Sequence, residues 1–466
     1  QLSGKLGDDI EINAAITDEN LPLQADGNTQ QLNEIDKVFV EIKRKNQVLL
    51  AGDQQLSPDN TYFLRYLKKY KGIQYATKNS LKDGGVLATR AFASIARGNF
   101  KRQVLEIQEG NQGPYRLTGI GNELFVIILS ASEKVYLDGV LLVRGLENDY
   151  VIDYNRSEIN FTAKRIVNRN SRVVIEFEYS NQSYLKSAMG LQSSYSKNNF
   201  SVQWNTYREQ DNKSSNTIQD LNTEDKLLLR EAGDQITNLS RPSYRLNTGN
   251  TDLNSIRYRL TDTIVNQTVY KNILVISSLP YESGYDAQFS FVGPGQGNYI
   301  TETQLFTNGR AYRWVAPDPV TQMRRGEYEP ITTLAAPKQQ TQHSIQVEYK
   351  PEIGFYTKTE LSLSDLDLNL FSPKDQQDDA GLAWRQELGY LAKLDKEGMS
   401  WKNSISVERL NNRFNFFEPF RNPEFQRDWS LDGVSPVKTN ELMWTANTEL
   451  DHRHFQLGYT LQHFER

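Results

Sequence analysis

Period-two placement of apolar side chains in residues 113–184 constrains this chain more than any other feature. Tyr150, Ile152 and Tyr154 alternate with polar neighbours, and a turn at Asn155, Arg156 and Ser157 brings back Ile159 and Phe161. Val173, Ile175, Phe177 and Tyr179 form one face of a last strand, opposite Arg172, Glu176 and Glu178. An unbroken apolar run at 124–129 predicts a buried strand. Val135 and Leu137 lead into the turn pair Asp138-Gly139, after which 140–143 return. The pattern specifies a compact β-sandwich-like module, and no reaction is visible in it.

Composition extends this to the whole chain. Its 466 residues suffice for roughly two to four domains with a sizeable core. Hydrophobic residues make up 38%, below a globular norm of about 45–50%, and mean hydropathy is −0.64. Polar uncharged residues fill the gap together with 24 tyrosines, which suit strands with one wet face. The net charge of −5 gives nucleic acid no electrostatic claim. With no cysteine, disulfides, thiolate metal sites and cysteine nucleophiles are excluded. No run of about 18 apolar residues encodes a membrane-spanning helix. Gln1 falls in a strand-like segment and Arg466 ends another, so we expect a portion of a longer secreted protein.

The fold expected is all-β, with antiparallel sheets in a meander, the embedded module and at most a few short helices. Residues 1–112 form an N-terminal antiparallel region, in which Ile10, Ile12 and Ala14 share one strand face and Val38, Val40 and Ile42 another. Residues 62–72 place aromatics among basic side chains and predict a basic edge segment or short helix. Residues 185–255 are a polar connection carrying one helix at 221–235, capped by Asn222 or Thr223 and stopped by Gly233. Residues 256–466 read as a C-terminal meander of alternating segments.

In order along the chain, GNTQQLNEIDKVFVEI (27–42), LLAGDQQL (49–56), GPYRL (113–117), SEKVYLDG (132–139), RGLENDYVIDYN (144–155), SRVVIEFEYS (171–180), VGPGQGNY (292–299), NGRAYRWV (308–315), GEYEP (326–330) and DLNLFSPKDQQDDAG (367–381) carry a resemblance. They resemble a family of β-rich outer-membrane-associated proteins of Bacteroidetes, which includes the Plug subunit of the type IX secretion translocon. The resemblance implies a non-enzymatic subunit on the periplasmic side of the outer membrane. Its partner would be a large translocon barrel whose mouth it blocks.

No catalytic, cofactor-binding or metal residue is assigned, and each candidate has a plainer reading. His452 and His454 share a strand face at chelating spacing, but the third ligand, His463, lies in the next strand with no known register. Asp365, Asp367 and Asn369, with Asp375, Asp378 and Asp379 beyond, offer oxygen ligands for calcium without the EF-hand offsets. Gly293, Gly295 and Gly297 lead into a strand rather than a helix, which predicts a sharp turn and no phosphate cradle. Tyr312, Trp314 and Tyr328, near Arg310 and Arg313, serve a ligand platform or a core equally well. Trp384, Trp401, Trp429 and Trp444 carry the same two readings, and carboxylate pairs for glycoside hydrolysis need a register the sequence does not give.

Three classes remain. A gating subunit would act by excluded volume and interface contacts. An integral outer-membrane barrel needs strands of about 9–11 residues with an apolar lipid face. Phe455, Leu457, Tyr459 and Leu461 meet that requirement, whereas Gln386, Thr357 and Thr359 interrupt otherwise apolar faces. With most strands expected to be short or wet, the peripheral reading is preferred. A surface polysaccharide enzyme is the distant third.

Overall fold

The computed structural model describes residues 2–6, 9–16, 38–96, 98–120, 126–180, 184–216, 221–236, 239–247, 256–277, 284–302, 311–394, 399–431 and 438–466. The chain is all-β, with 59% of it in strands, antiparallel sheets and, among the described residues, two helices. Among the described residues no helix is long and apolar enough to cross a membrane.

Two compact units are defined, residues 1–220 with 337–370 and 375–466, and residues 221–336 with 371–374. The first is built on a 14-stranded sheet whose strands pair in chain order. Its N-terminal strands are β1 (Leu2–Leu6), β2 (Ile10–Ile16), β3 (Val38–Arg44), β4 (Gln47–Leu56), β5 (Lys68–Ser80) and β6 (Val86–Ala96). The next are β7 (Tyr184–Lys197), β8 (Phe200–Asn216), β9 (Gln339–Tyr349) and β10 (Gly354–Asp367). β11 (Ala380–Lys393), β12 (Ser400–Leu410), β13 (Glu441–His452) and β14 (Phe455–Glu465) complete it. The sheet is not closed into a barrel, and β1 and β14 are its edges. From β4 onward every strand of this sheet has at least 10 residues, whereas the strands outside it are short, as expected for most of the chain.

The two ends of this meander differ. At one end the connections are 7–9, 45–46, 81–85, 198–199, 350–353, 394–399 and 453–454. At the other they are 17–37, 57–67, 97–183, 217–338, 368–379 and 411–440. Every long connection thus leaves the same end.

The connection 97–183 carries the module anticipated at 113–184, and the structure starts it earlier. Strand 99–105 pairs with residues 173–179, so 99–112 belongs to the module and not to the N-terminal region. The turn at Asp138 and Gly139 forms with both residues at positive φ (49° and 81°), the two-residue geometry that suits a hairpin's twist. Val173, Ile175, Phe177 and Tyr179 join Tyr115, Leu117, Val135, Tyr150, Ile159 and Phe161 in one buried cluster. Only 127–128 of the run at 124–129 form a strand, and 121–125 lie outside the described residues. β6 and β7 pair directly from Ala96 and Lys186 onward, so the sheet is continuous beneath the inserted module.

The second unit opens with helix α1 (Thr223–Ala232), where Asn222 and Asp225 form the reciprocal capping box and Gly233 ends it. Two four-stranded sheets share an aromatic core of Tyr258, Leu274 and Tyr299. Strands 258–333 therefore do not join the C-terminal meander, which resumes at Gln339. Locally they look like meander strands, and only their partners tell them apart.

Candidate functional site

Alternation gives each strand of the large sheet two faces, and register carries each face across the sheet. One face is apolar and uncovered. Leu388, Ile405, Ala446 and Leu461 lie in one cross-strand row, and Val40, Ala51, Ile73, Ala93 and Met189 in another. Phe355 is 78% exposed, Leu388 51% and Leu457 62%. Several polar residues on this face pair with one another. Thr359 Oγ1 donates to Gln386 Oε1 (2.7 Å), and Gln386 Nε2 donates to Thr357 Oγ1 (2.8 Å). Trp401 Nε1 likewise donates to Thr448 Oγ1 (3.0 Å).

The opposite face is polar and covered. Gln192, Asn205, Ser344 and Ser362 are successive partners on β7 to β10, and all are buried. Glu360, Gln342, Gln346, Ser364 and Glu408 are buried beside them. This inverts a soluble protein, whose apolar side chains are the ones withdrawn from water.

Three pieces of the chain cover that face. The first is the connection 57–67, whose Phe63 and Leu64 are fully buried. It is neither a basic edge nor a helix, because Phe63 inserts between Phe414 and Phe420 (ring centroids 5.8 and 5.2 Å). The two Glu360 carboxylate oxygens accept the Tyr62 and Phe63 N–H groups at 2.7 and 3.0 Å. The Arg385 guanidinium lies over the Tyr62 ring at 4.3 Å. Tyr66 stacks on Tyr207 of β8 with centroids 4.0 Å apart, and Gln192 Nε2 donates to its hydroxyl (3.1 Å).

The second piece is the stretch 411–424 of the connection after β12. Phe417 meets Tyr207 edge-on at 4.5 Å, and Arg421 pairs with both Glu408 and Glu441. Glu418 clamps the first piece, accepting from Leu67 N (2.8 Å) and donating its own N–H to Arg65 O (3.2 Å). Gly381 on β11 permits this docking, since a Cβ there would lie 2.4 Å from the Phe414 backbone.

The third piece is the module. Residues 173–179 of its last strand are buried on both faces, and the expected wet side meets partners instead. Glu178 pairs with Lys68 at the start of β5, and Glu176 with Arg102. Burial raises the Glu178 and Glu418 carboxyls above their ordinary range, with Lys68 opposing the shift in both. Arg172 reaches Glu424 at 3.3 Å, and Arg427 reaches Asp138 at 3.2 Å.

The sequence candidates fall elsewhere. His452 pairs across the sheet with Phe455 and Trp444 with His463, so His463 sits far along the strand from His452 and His454. Asp367 turns its carboxylate onto the Asn369 N–H (2.8 Å), and Asp365, Asp367 and Asp375 meet no pair of further acidic or histidine ligands among the described residues. Asp378 is exposed and Asp379 buried. Gly293, Gly295 and Gly297 form the expected turn, closed by a Gly297–Gly326 bridge. Tyr312, Trp314 and Tyr328 pack in the aromatic core, while Arg313 pairs with Glu302 and Arg310 lies outside the described residues. Trp384, Trp401 and Trp444 sit on the uncovered face, and Trp429 packs against Phe425 and Phe464. The buried carboxylates of Glu360 and Glu408 are engaged by backbone N–H groups and Arg421. The covered face and its occupants went unread in the sequence, although the alternation that builds them was visible.

A family model described as a domain of unknown function (DUF8818) matches residues 100–181, the inserted module. No curated protein matches the chain. The crystal structure of Pseudomonas aeruginosa OccK8 (OprE) aligns with 92% of this chain and 76% of its own, at 9% identity and a TM-score of 0.23. A superposition that loose carries no argument about fold or role.

Proposed function

We propose that the chain is an integral outer-membrane β protein whose 14-stranded sheet lies in the bilayer, with its interior side occluded by its own segments. The observation that carries this reading is the inversion of the two faces. A bare apolar face backed by a buried polar one is the arrangement a hydrocarbon solvent favours, and the edges at β1 and β14 would there need strand partners. Strands of 10 residues or more match the required span. Short turns at one end and long connections at the other match the periplasmic and outer ends of such proteins. An alkaline carbonate wash of native membranes tests it: the account expects retention in the membrane pellet, and release into the wash contradicts it.

A second reading, the non-enzymatic subunit that plugs a type IX translocon from the periplasmic side, is favoured by one feature. Among the described residues β14 is unpaired along one edge over its 11 residues, an edge to which a strand of a partner protein could add. Recovery of a very large barrel protein with this chain from native membranes supports that reading, and recovery of the chain alone counts against it.

A further inference from the structure

The covered face is chemically mismatched to a permanent filling. Asn205 and Ser362 are fully buried, yet Asn205 Nδ2, Gln342 Oε1 and Gln346 Oε1 have no hydrogen-bond partner among the described residues. Each such group costs about 1–3 kcal/mol when withdrawn from water. A wall meant to stay packed would carry apolar residues there. A row of Gln192, Asn205, Ser344 and Ser362 has the chemistry suited to lining a surface that meets water.

The element lying over this row is residues 57–67. It is tethered to β4 and β5 and makes its grip through discrete, breakable contacts: Glu360 on two N–H groups, Tyr66 on Tyr207, and Phe63 in its ring pocket. When it withdraws, Glu360 loses both N–H partners and keeps the Ser344 Oγ donor (3.1 Å), which leaves its carboxylate beside the row.

We propose that residues 57–67 are a removable gate, and that the Gln–Asn–Ser row behind them lines a path for small hydrophilic solutes with a preference for cations. This rests on the membrane-embedded reading above. Glu360 both holds the gate shut and supplies the charge of the open path.

The full chain, reconstituted in planar bilayers between potassium chloride solutions, tests the gate. One variant carries Glu360→Gln, and a second replaces residues 58–66 by a Gly-Ser stretch of equal length. The unaltered protein is expected to stay closed, and the gate replacement to conduct with a reversal potential shifted toward potassium. Because the chain has no cysteine, Ser362→Cys gives an independent readout with a membrane-impermeant maleimide. Labelling should be at least about tenfold faster in the gate replacement, as protection by local closure is lost. A gate replacement that resists carbonate extraction but neither conducts nor exposes Ser362→Cys overturns the gate. A protein that never enters the bilayer overturns the membrane reading and the gate with it.

Discussion

Thr359 and Gln386 sit directly opposite each other on β10 and β11, and Thr359 Oγ1 donates to Gln386 Oε1 across 2.7 Å on the uncovered face. These are the polar residues that make the face read as wet in sequence. Paired, they no longer demand water.

That pairing predicts a non-additive effect. Gln386→Leu strands the Thr357 and Thr359 hydroxyls and should destabilise the lipid-inserted protein by about 1 kcal/mol. Adding Thr357→Val and Thr359→Val should recover most of that loss. Urea titration of folding into vesicles measures both, and strict additivity contradicts the pairing.

Leu388→Arg separates lipid from water as the solvent of this face. Arg on the lipid face near mid-membrane costs about 2–4 kcal/mol, whereas a surface change in water stays within about ±0.5 kcal/mol. We expect the larger loss in the same vesicle titration.

Lys68→Met tests how the module docks. It removes the cation buried against Glu178 and should loosen the contact by about 3–5 kcal/mol. Amide exchange across 173–180 should accelerate while β9 to β12 remain protected. Unchanged exchange in the module strand contradicts the assignment.

Gly381→Ala addresses the stretch 411–424, because the added Cβ occupies space the Phe414 backbone holds. Exchange should rise there and at 57–67, which Glu418 clamps. Exchange confined to β11 argues against a shared docking unit.

The module also predicts a pH dependence. The Val143 N–H and the Arg165 guanidinium hold the Asp149 carboxyl below its ordinary value, against the opposing effect of burial. A depressed carboxylate contributes stability above its unfolded pKa of about 3.9, lost as pH falls through the lower folded value. Exchange of 140–163 should therefore accelerate on acidification below about pH 4, less steeply in Asp149→Asn. An unchanged acid dependence in that variant contradicts it.

Much of the fold was legible because its causes are local. The capping box at Asn222 and Asp225, the Asp138-Gly139 turn and the alternation at 173–179 each lie within a few residues. What stayed hidden needed register. Thr357, Thr359 and Gln386 meet only when β10 and β11 are aligned, and Glu360 reaches Phe63 across 297 residues. Residues 62–72 read as basic because of Lys68, Lys69 and Lys71, while the buried anchors Phe63, Leu64 and Tyr66 were hidden among them. The candidate site is therefore invisible as a site in the sequence, and β7 and β8, which carry Gln192 and Asn205, lie where the sequence reads as a polar connection.

Four of the six tryptophans, Trp204, Trp384, Trp401 and Trp444, lie on the uncovered face. Replacing Trp314 and Trp429 by Phe leaves only these as fluorophores. In vesicles of lipids brominated along the acyl chain, the account predicts strong quenching of this fluorescence and little quenching by aqueous iodide. Quenching by iodide without quenching by the brominated chains would contradict it.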